Sequence, residues 1–170
     1  MPTLVADASA LVSLGIVVDD DPDPLALCLA QYEVAVPTAV VEELQEIASY
    51  DDAHGRAASI VLDGTDALET RSVSLDVEFP LDDGENAAVT LANDCDAELF
   101  LCDEFNQLGL IHASLADTRL VTTPTLLSVL VRTEQVSAAD ARQLLDAISD
   151  ARSWGANSYV QRARSLFEEP

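Results

Sequence analysis

The sequence predicts an α/β protein, a three-layer α/β/α sandwich around a mostly parallel sheet of about five strands. Two observations lead to this fold class. Short apolar runs alternate along the chain with helical segments, which is the pattern of βαβ units. The chain has 170 residues, of which 49% are hydrophobic, enough for one domain with a buried core. We therefore expect one domain over residues 1–170, ending in two helices from about 137 to 168.

The elements of the first part of the chain follow from its apolar runs and their boundary residues. Residues 4–6 are a short apolar strand, and the turn after them leads to a helix that ends at Gly15. An acidic loop with two prolines separates this helix from the next one at 25–31. Residues 34–36 are the second strand, and a proline opens the helix at about 37–50.

The same alternation continues to the end of the sheet. A helix at 56–62 precedes the third predicted strand at 73–75. A helix over about 85–93 leads to the most apolar strand, 98–102. The fifth strand is 119–122, after which a proline starts another helix.

The two C-terminal helices are predicted from their capping residues. Ser137 with Asp140 has the spacing of a capping box at the start of the first helix. The pair Trp154-Gly155 interrupts the helical pattern, and Asn157 caps the second helix.

The charge of the chain is extreme. It has 31 Asp and Glu against 8 Lys and Arg, all eight being arginine, and a formal net charge of −23. This charge excludes the broad basic face of most nucleic-acid-binding proteins. Molar salt shortens the screening length to about 3 Å and removes most of the self-repulsion of such a surface. We therefore expect a protein from the cytoplasm of a halophile.

The cysteines and the start of the chain bear on its location. Cys28, Cys95 and Cys102 are odd in number, lack CxxC spacing and lie in apolar stretches, which is typical of buried thiols in a reducing compartment. The first residues have no basic leader region, and no apolar run has the length of a membrane span. We expect a cytoplasmic protein without a membrane partner.

Four acidic residues are predicted to gather at one edge of the sheet. Asp7 and Asp103 each follow an apolar strand directly, so both lie at strand carboxyl ends. Glu43 borders the apolar face of its helix, and Glu85 lies in the first turn of another. Four carboxylates stay ionised close together only when cations neutralise them, and oxygen-only ligation selects Mg²⁺ or Mn²⁺. Such an arrangement is suited to phosphodiester hydrolysis.

These segments resemble the four acidic motifs of the PIN-domain nucleases, in the same order over about the first 125 residues. The matching segments are Leu4-Val5-Ala6-Asp7-Ala8-Ser9, Val36-Pro37 to Glu43-Leu44, Gly84-Glu85-Asn86-Ala87-Ala88 and Leu101-Cys102-Asp103-Glu104. The C-terminal helices are similar to those of small archaeal VapC-like PIN proteins.

The resemblance implies functions for particular residues. Asp7, Glu43, Glu85 and Asp103 would be the catalytic metal ligands, and Ser9 would hydrogen-bond near the first acid. Thr123 falls where the family often has a hydroxyl residue near the site. The implied activity is a Mg²⁺- or Mn²⁺-dependent endoribonuclease, and a toxin of a toxin–antitoxin pair is one form of it. RNA or DNA would be the substrate, and an antitoxin or a second copy of the chain would be the protein partner.

Two alternatives stay open at this stage. The chain lacks the basic residue that often follows the last acidic motif, having Phe105-Asn106-Gln107 there, which favours an inactive PIN-like binding or regulatory module. The second open question is whether Asp103 or Glu104 is the fourth acid of the site. Strand alternation places Asp103 on the same side as Leu99 and Leu101, so we predict Asp103 as the ligand and Glu104 as the alternative.

Overall fold

A computed structural model of the chain describes residues 1–168. Residues 169 and 170, the last two of the expected domain, lie outside the described residues. The strands are β1 (Thr3–Ala6), β2 (Glu33–Pro37), β3 (Glu69–Arg71), β4 (Leu99–Leu101) and β5 (Arg119–Val121). The helices are α1 (Ala8–Ile16), α2 (Pro24–Gln31), α3 (Thr38–Ala48), α4 (Ala53–Asp63), α5 (Asp83–Asp94), α6 (Leu108–Ser114), α7 (Thr123–Arg132), α8 (Ala138–Arg152) and α9 (Ser158–Glu168), with a short 3-10 helix at Thr65–Ala67.

The strands form one parallel sheet in the order β3-β2-β1-β4-β5 within the described residues. Val5 in the centre of β1 pairs with Ala35 of β2 on one side and Phe100 of β4 on the other. The predicted α/β class and three-layer α/β/α architecture are confirmed. The sheet order reverses direction at β1, so the crevice beside the carboxyl ends of β1 and β4 is where ligands bind in such sheets.

The core is built around the central strand and the helix that follows it. Leu4, Val5 and Ala6 are fully buried, as is nearly all of α1. Because β1 is covered on both faces, none of its side chains faces solvent, which explains why it is an apolar run. The polar residue that follows this run, Asp7, is therefore placed by the core itself.

The third strand is not where the sequence predicts it. The apolar pattern predicts a strand at 73–75, whereas β3 is Glu69–Arg71 and residues 73–75 belong to no strand. β3 pairs with β2 alone within the described sheet, and its residues are partly exposed, with Arg71 ion-paired to Glu69. An edge strand of this kind carries no apolar signature. Val73 and Leu75 alternate with polar residues and so give 73–75 the pattern of a strand, although these residues are not in one.

The crossover from β4 to β5 contains a helix that the sequence pattern did not predict. α6 joins these two parallel strands, which need a long crossover. The predicted cap of α9 is confirmed, since Asn157 accepts from the backbone N–H groups of Tyr159 and Val160. Ser137 caps α8 by accepting from the N–H of Asp140 at 3.0 Å, but among the described hydrogen bonds the reciprocal one of a full capping box is not found. In the described part of the chain, no helix has the length and apolarity needed to cross a bilayer.

Candidate active site

Asp7 lies between the end of β1 and the start of α1, and it still makes a sheet-like backbone hydrogen bond to the neighbouring strand. Its backbone N–H donates to the carbonyl of Leu101 at 3.1 Å, which fixes Asp7 beside the end of β4. Its side chain caps α1 by accepting from the N–H of Ala10 at 3.2 Å. The other oxygen accepts from the thiol of Cys102 at 3.2 Å. Asp7 is only 4% exposed, and burial raises its pKa to about 6 despite these hydrogen bonds.

Ser9 connects the ends of the two central strands. Its hydroxyl donates to Asp7 at 2.6 Å and accepts from the backbone N–H of Asp103 at 2.9 Å. The hydroxyl therefore uses its hydrogen and one lone pair within the site. This contact holds the first acid and the chain after β4 in one arrangement.

The carboxylate of Asp103 points to the start of α7. Thr123 donates to it twice, from its N–H at 2.7 Å and from its hydroxyl at 2.5 Å. Asp103 is 4% exposed, and burial raises its pKa while the hydrogen bonds from Thr123 lower it. Both oxygens of Asp103 are thus already engaged with the protein.

Glu104 differs from Asp103 in exposure and surroundings. It is partly exposed, and its backbone N–H donates to the thiol of Cys102 at 3.4 Å. Burial raises the pKa of Glu104, and the positive charge of Arg152 lowers it. The charge of Glu104 is among those that raise the pKa of Asp7.

Glu43 reaches the site from α3, where it packs against the first turn of α5. A Cβ built on Gly84 would lie 2.5 Å from Oε2 of Glu43, so only glycine leaves room for this carboxylate. Burial raises the pKa of Glu43 to about 7, and the charges of Asp7 and Asp82 add to the effect.

Glu85 lies one residue beyond this glycine, in the first turn of α5. Asp82 caps the helix by accepting from the N–H of Glu85 at 2.8 Å. Burial is the main reason that the pKa of Glu85 is raised to about 7, and the negative charges of Asp82, Glu104 and Asp7 also raise it. The helix N-terminus partly offsets this concentration of negative charge.

The structure thus brings carboxylates from four segments to one edge of the sheet. The charges of Asp7 and Glu104 raise the pKa of both Glu43 and Glu85. Like charges disfavour one another's ionised form, so this edge binds protons or cations more readily than isolated carboxylates do. Asp103 lies at the same edge but is turned to Thr123.

The donor chemistry of this edge fits a hard divalent cation. All the carboxylates offer oxygen, which Mg²⁺ and Mn²⁺ prefer. Within residues 1–168, no three carboxylate, thiol or imidazole groups lie close enough to hold one ion directly. Mg²⁺ keeps several of its waters and commonly uses only one or two protein carboxylates. Asp7, Glu43, Glu85, Asp103 and Glu104 are the acidic residues at this edge whose side chains could supply those contacts.

Sequence reasoning missed three participants. Asp82 belongs to the acidic cluster, and its place three residues before Glu85 at a helix start was the available signal. The thiol of Cys102 contacts Asp7, which no pattern indicates. Arg152 brings positive charge to Asp103 and Glu104 from a distant part of the chain.

The fold and site together define an α/β protein with an acidic cluster at the carboxyl edge of its sheet. A family model described as a PIN domain matches residues 3–169, and the chain belongs to the PIN-domain family. PIN domains are generally nucleases. No curated protein matches the sequence significantly.

Proposed function

We propose that this chain is a divalent-metal-dependent endoribonuclease of the PIN type. The observation that carries the proposal is the meeting of Asp7, Glu43, Glu85 and Glu104 at one sheet edge, where burial raises the pKa of each and the charges of Asp7 and Glu104 raise the pKa of Glu43 and Glu85 further. A protein gains nothing in stability from collecting buried like charges, so a bound cation is the simplest reason for them. When bound there, Mg²⁺ or Mn²⁺ would activate a water and polarise a phosphoryl oxygen.

The protein's own residues would supply ligation and orientation. Asp7 is held by Ser9, Cys102 and the start of α1, so its carboxylate needs little reordering to bind an ion. Glu43 lies against Gly84, and Glu85 follows that glycine in the first turn of α5. Their raised pKa values mean that cation binding displaces protons near neutral pH.

The fourth acid of the proposed site comes from the end of β4, where the sequence alone predicts Asp103. We propose Glu104 as this acid, while Asp103 fixes the chain after β4 through its hydrogen bonds to Ser9 and Thr123. The charge of Glu104 raises the pKa of Glu43 and Glu85, whereas the charge of Asp103 is not among those that act on them and its carboxylate is held toward the start of α7 by Thr123. The binding-module alternative would need none of these groups to bind a cation.

The experiment is a calorimetric Mn²⁺ titration in high KCl, with cleavage of a labelled single-stranded RNA assayed in the same buffer. We expect the wild-type protein to bind Mn²⁺ and cleave RNA, and Asp7→Asn to lose both while remaining folded. Asp63→Asn, an exposed position in α4, is the matched control and should behave like wild type. A wild-type protein that binds no Mn²⁺ and cleaves nothing would leave the binding module as the function.

Several finer predictions accompany this proposal. The matching DNA oligonucleotide distinguishes RNA from DNA as substrate. The family resemblance supports four further proposals, namely the toxin function, the VapC-like grouping, an antitoxin partner and a homodimer. Light scattering in high salt checks the homodimer.

The net charge of −23 supports a halophilic source, and three free cysteines support a cytoplasmic location. Equal stability in low and multimolar KCl would refute the halophilic source.

A further inference from the structure

Arg152 ends α8 beside the carboxylate cluster. Its positive charge lowers the pKa of both Asp103 and Glu104, so it lies within electrostatic reach of the end of β4. α7 leads away from this edge of the sheet and α8 returns to it, which brings a residue 48 positions after Glu104 next to it. The acidic surface elsewhere would repel a nucleic acid, so a positive charge at this point is of particular interest.

An aromatic cluster holds the Arg152 side chain at this place. The guanidinium carbon lies 5.6 Å from the centre of the Trp154 ring, within the range of a cation–π contact. Trp154 is 8% exposed and packs edge-to-face on Phe105, with ring centres 4.9 Å apart. Phe105 directly follows Glu104 in sequence, so the arginine is fixed to the segment that carries the acids.

The hydrogen-bonding groups of Arg152 are not used within the described residues. Three other arginines, Arg71, Arg142 and Arg164, make ion pairs with carboxylates. In residues 1–168, Arg152 makes neither an ion pair nor a side-chain hydrogen bond, as is also true of Arg56, Arg119, Arg132 and Arg162. Of these five, Arg152 is the one whose charge acts on both Asp103 and Glu104. A guanidinium has five N–H donors in a fork that matches the oxygens of a phosphate.

We infer that Arg152 binds a backbone phosphate of a single-stranded nucleic acid next to the carboxylate cluster. This inference rests on the proposed nuclease function and gives its site the anion contact that the segment after Glu104 lacks. Tyr159 continues the same surface, since its ring stacks on Phe105 with centres 5.4 Å apart and is 44% exposed. An exposed aromatic ring beside a phosphate contact is typical of surfaces that bind unpaired bases.

The test measures binding without cleavage. A labelled single-stranded RNA oligonucleotide is titrated with the full chain in Ca²⁺, by fluorescence anisotropy over a series of KCl concentrations, and a gel checks that the RNA stays intact. We expect Arg152→Gln to weaken binding roughly tenfold. It should also reduce the slope of log K against log salt by about 0.7, the value for one phosphate contact to a single strand. Arg152→Lys should keep the slope of the wild-type protein.

Arg132→Gln is the matched control. Arg132 also lies in the last turn of a helix and is exposed, at the end of α7 that points away from the site. It should leave affinity and slope unchanged. A purely structural function of Arg152 would lower the melting temperature without changing the salt slope. If the glutamine variant unfolds, Arg152→Met keeps the aliphatic stem on Trp154 and provides the same comparison.

Cleavage in Mn²⁺ distinguishes failure of this inference from failure of the proposed function. Binding that depends on Arg152 without any cleavage overturns the nuclease function and keeps the phosphate contact. Cleavage with wild-type affinity and slope in Arg152→Gln overturns the phosphate contact alone. A wild-type protein that neither binds nor cleaves the oligonucleotide overturns both.

Discussion

Thr123 donates two hydrogen bonds to the carboxylate of Asp103, one from its backbone N–H at 2.7 Å and one from its hydroxyl at 2.5 Å. The backbone N–H of Asp103 in turn donates to Ser9, whose hydroxyl donates to Asp7. This chain of contacts joins the ends of β5, β4 and β1. Asp103 therefore links these three strand ends, and under the proposed function Glu104 is the residue that binds the cation at this strand end.

The first prediction separates these two neighbouring acids. Glu104→Gln should weaken Mn²⁺ binding roughly tenfold or more, because it removes an ionised group from the cluster. Asp103→Asn should change Mn²⁺ affinity far less but lower the free energy of unfolding by about 1–3 kcal/mol, because it disturbs a buried, doubly bonded carboxylate. Calorimetry and denaturant unfolding in the same high-salt buffer measure both quantities. The opposite pattern would restore Asp103 as the ligand.

The second prediction concerns the hydroxyl of Thr123. Thr123→Val keeps the shape of the side chain but leaves one oxygen of buried Asp103 without its donor, so the free energy of unfolding should fall by about 1–3 kcal/mol. Thr133→Val just after α7 is the control, since Thr133 is exposed and its hydroxyl bonds only to the carbonyls of Val129 and Leu130 and to the exposed side chain of Gln135. Its effect should stay within about 0.5 kcal/mol. Equal effects in the two variants would contradict the structural link.

The sequence predicts the fold where burial dictates the residue pattern. β1 and the chain leading to Asp103 are covered by other elements, so their apolar runs locate them correctly. The prediction of β3 is wrong because β3 is an edge strand whose residues are partly exposed. Its position depends on pairing with β2, a long-range contact that local composition does not record.

The site could be predicted as a set of strand and helix ends, but not in its detail. Strand alternation favours Asp103 over Glu104 as the fourth acid, but β4 ends at Leu101, so the alternation does not extend to residues 103 and 104. The orientation of Asp103 is set by Thr123, which is 20 residues away in sequence. Arg152 reaches the site only through the packing of α8, and no spacing in the sequence indicates that.

The third prediction is that the metal-free protein loses stability as the pH rises. The pKa of Asp7 is raised to about 6 and those of Glu43 and Glu85 to about 7, chiefly by burial, so the folded state holds protons that the unfolded chain has released. The stability that these protons provide is fully present below about pH 4 and is lost as the pH passes through 6 to 7. For Asp7, which is 4% exposed, the change is on the order of 3 kcal/mol.

Thermal melts across this pH range in multimolar KCl measure the effect, because the salt screens the exposed acids. Asp7→Asn should flatten the pH profile, and Asp63→Asn should keep the wild-type slope. Added Mn²⁺ should raise the melting temperature most at the upper end of the range, where the carboxylates are ionised. A profile for Asp7→Asn that equals the wild-type profile would mean that the site does not cause the pH dependence.

The fourth prediction uses the close approach of Glu43 to Gly84. A Cβ on Gly84 would lie 2.5 Å from Oε2 of Glu43, so Gly84→Ala must push that carboxylate out of its place. The side chain can move, and alanine is the better helix former, so the stability of the fold should stay level or rise by up to about 1 kcal/mol. Mn²⁺ affinity should nevertheless fall roughly tenfold, as it does when the support of a ligand is disturbed.

Gly109→Ala is the matched control for this prediction. Gly109 lies in α6, and a Cβ built there meets nothing within 4 Å, so the substitution gains the same helix propensity without touching the site. Its Mn²⁺ affinity should equal that of the wild-type protein. Calorimetry on the two alanine variants separates the effect of helix propensity from the effect of displacing Glu43. Unchanged Mn²⁺ affinity in Gly84→Ala would show that Glu43 does not bind the cation from its position against α5.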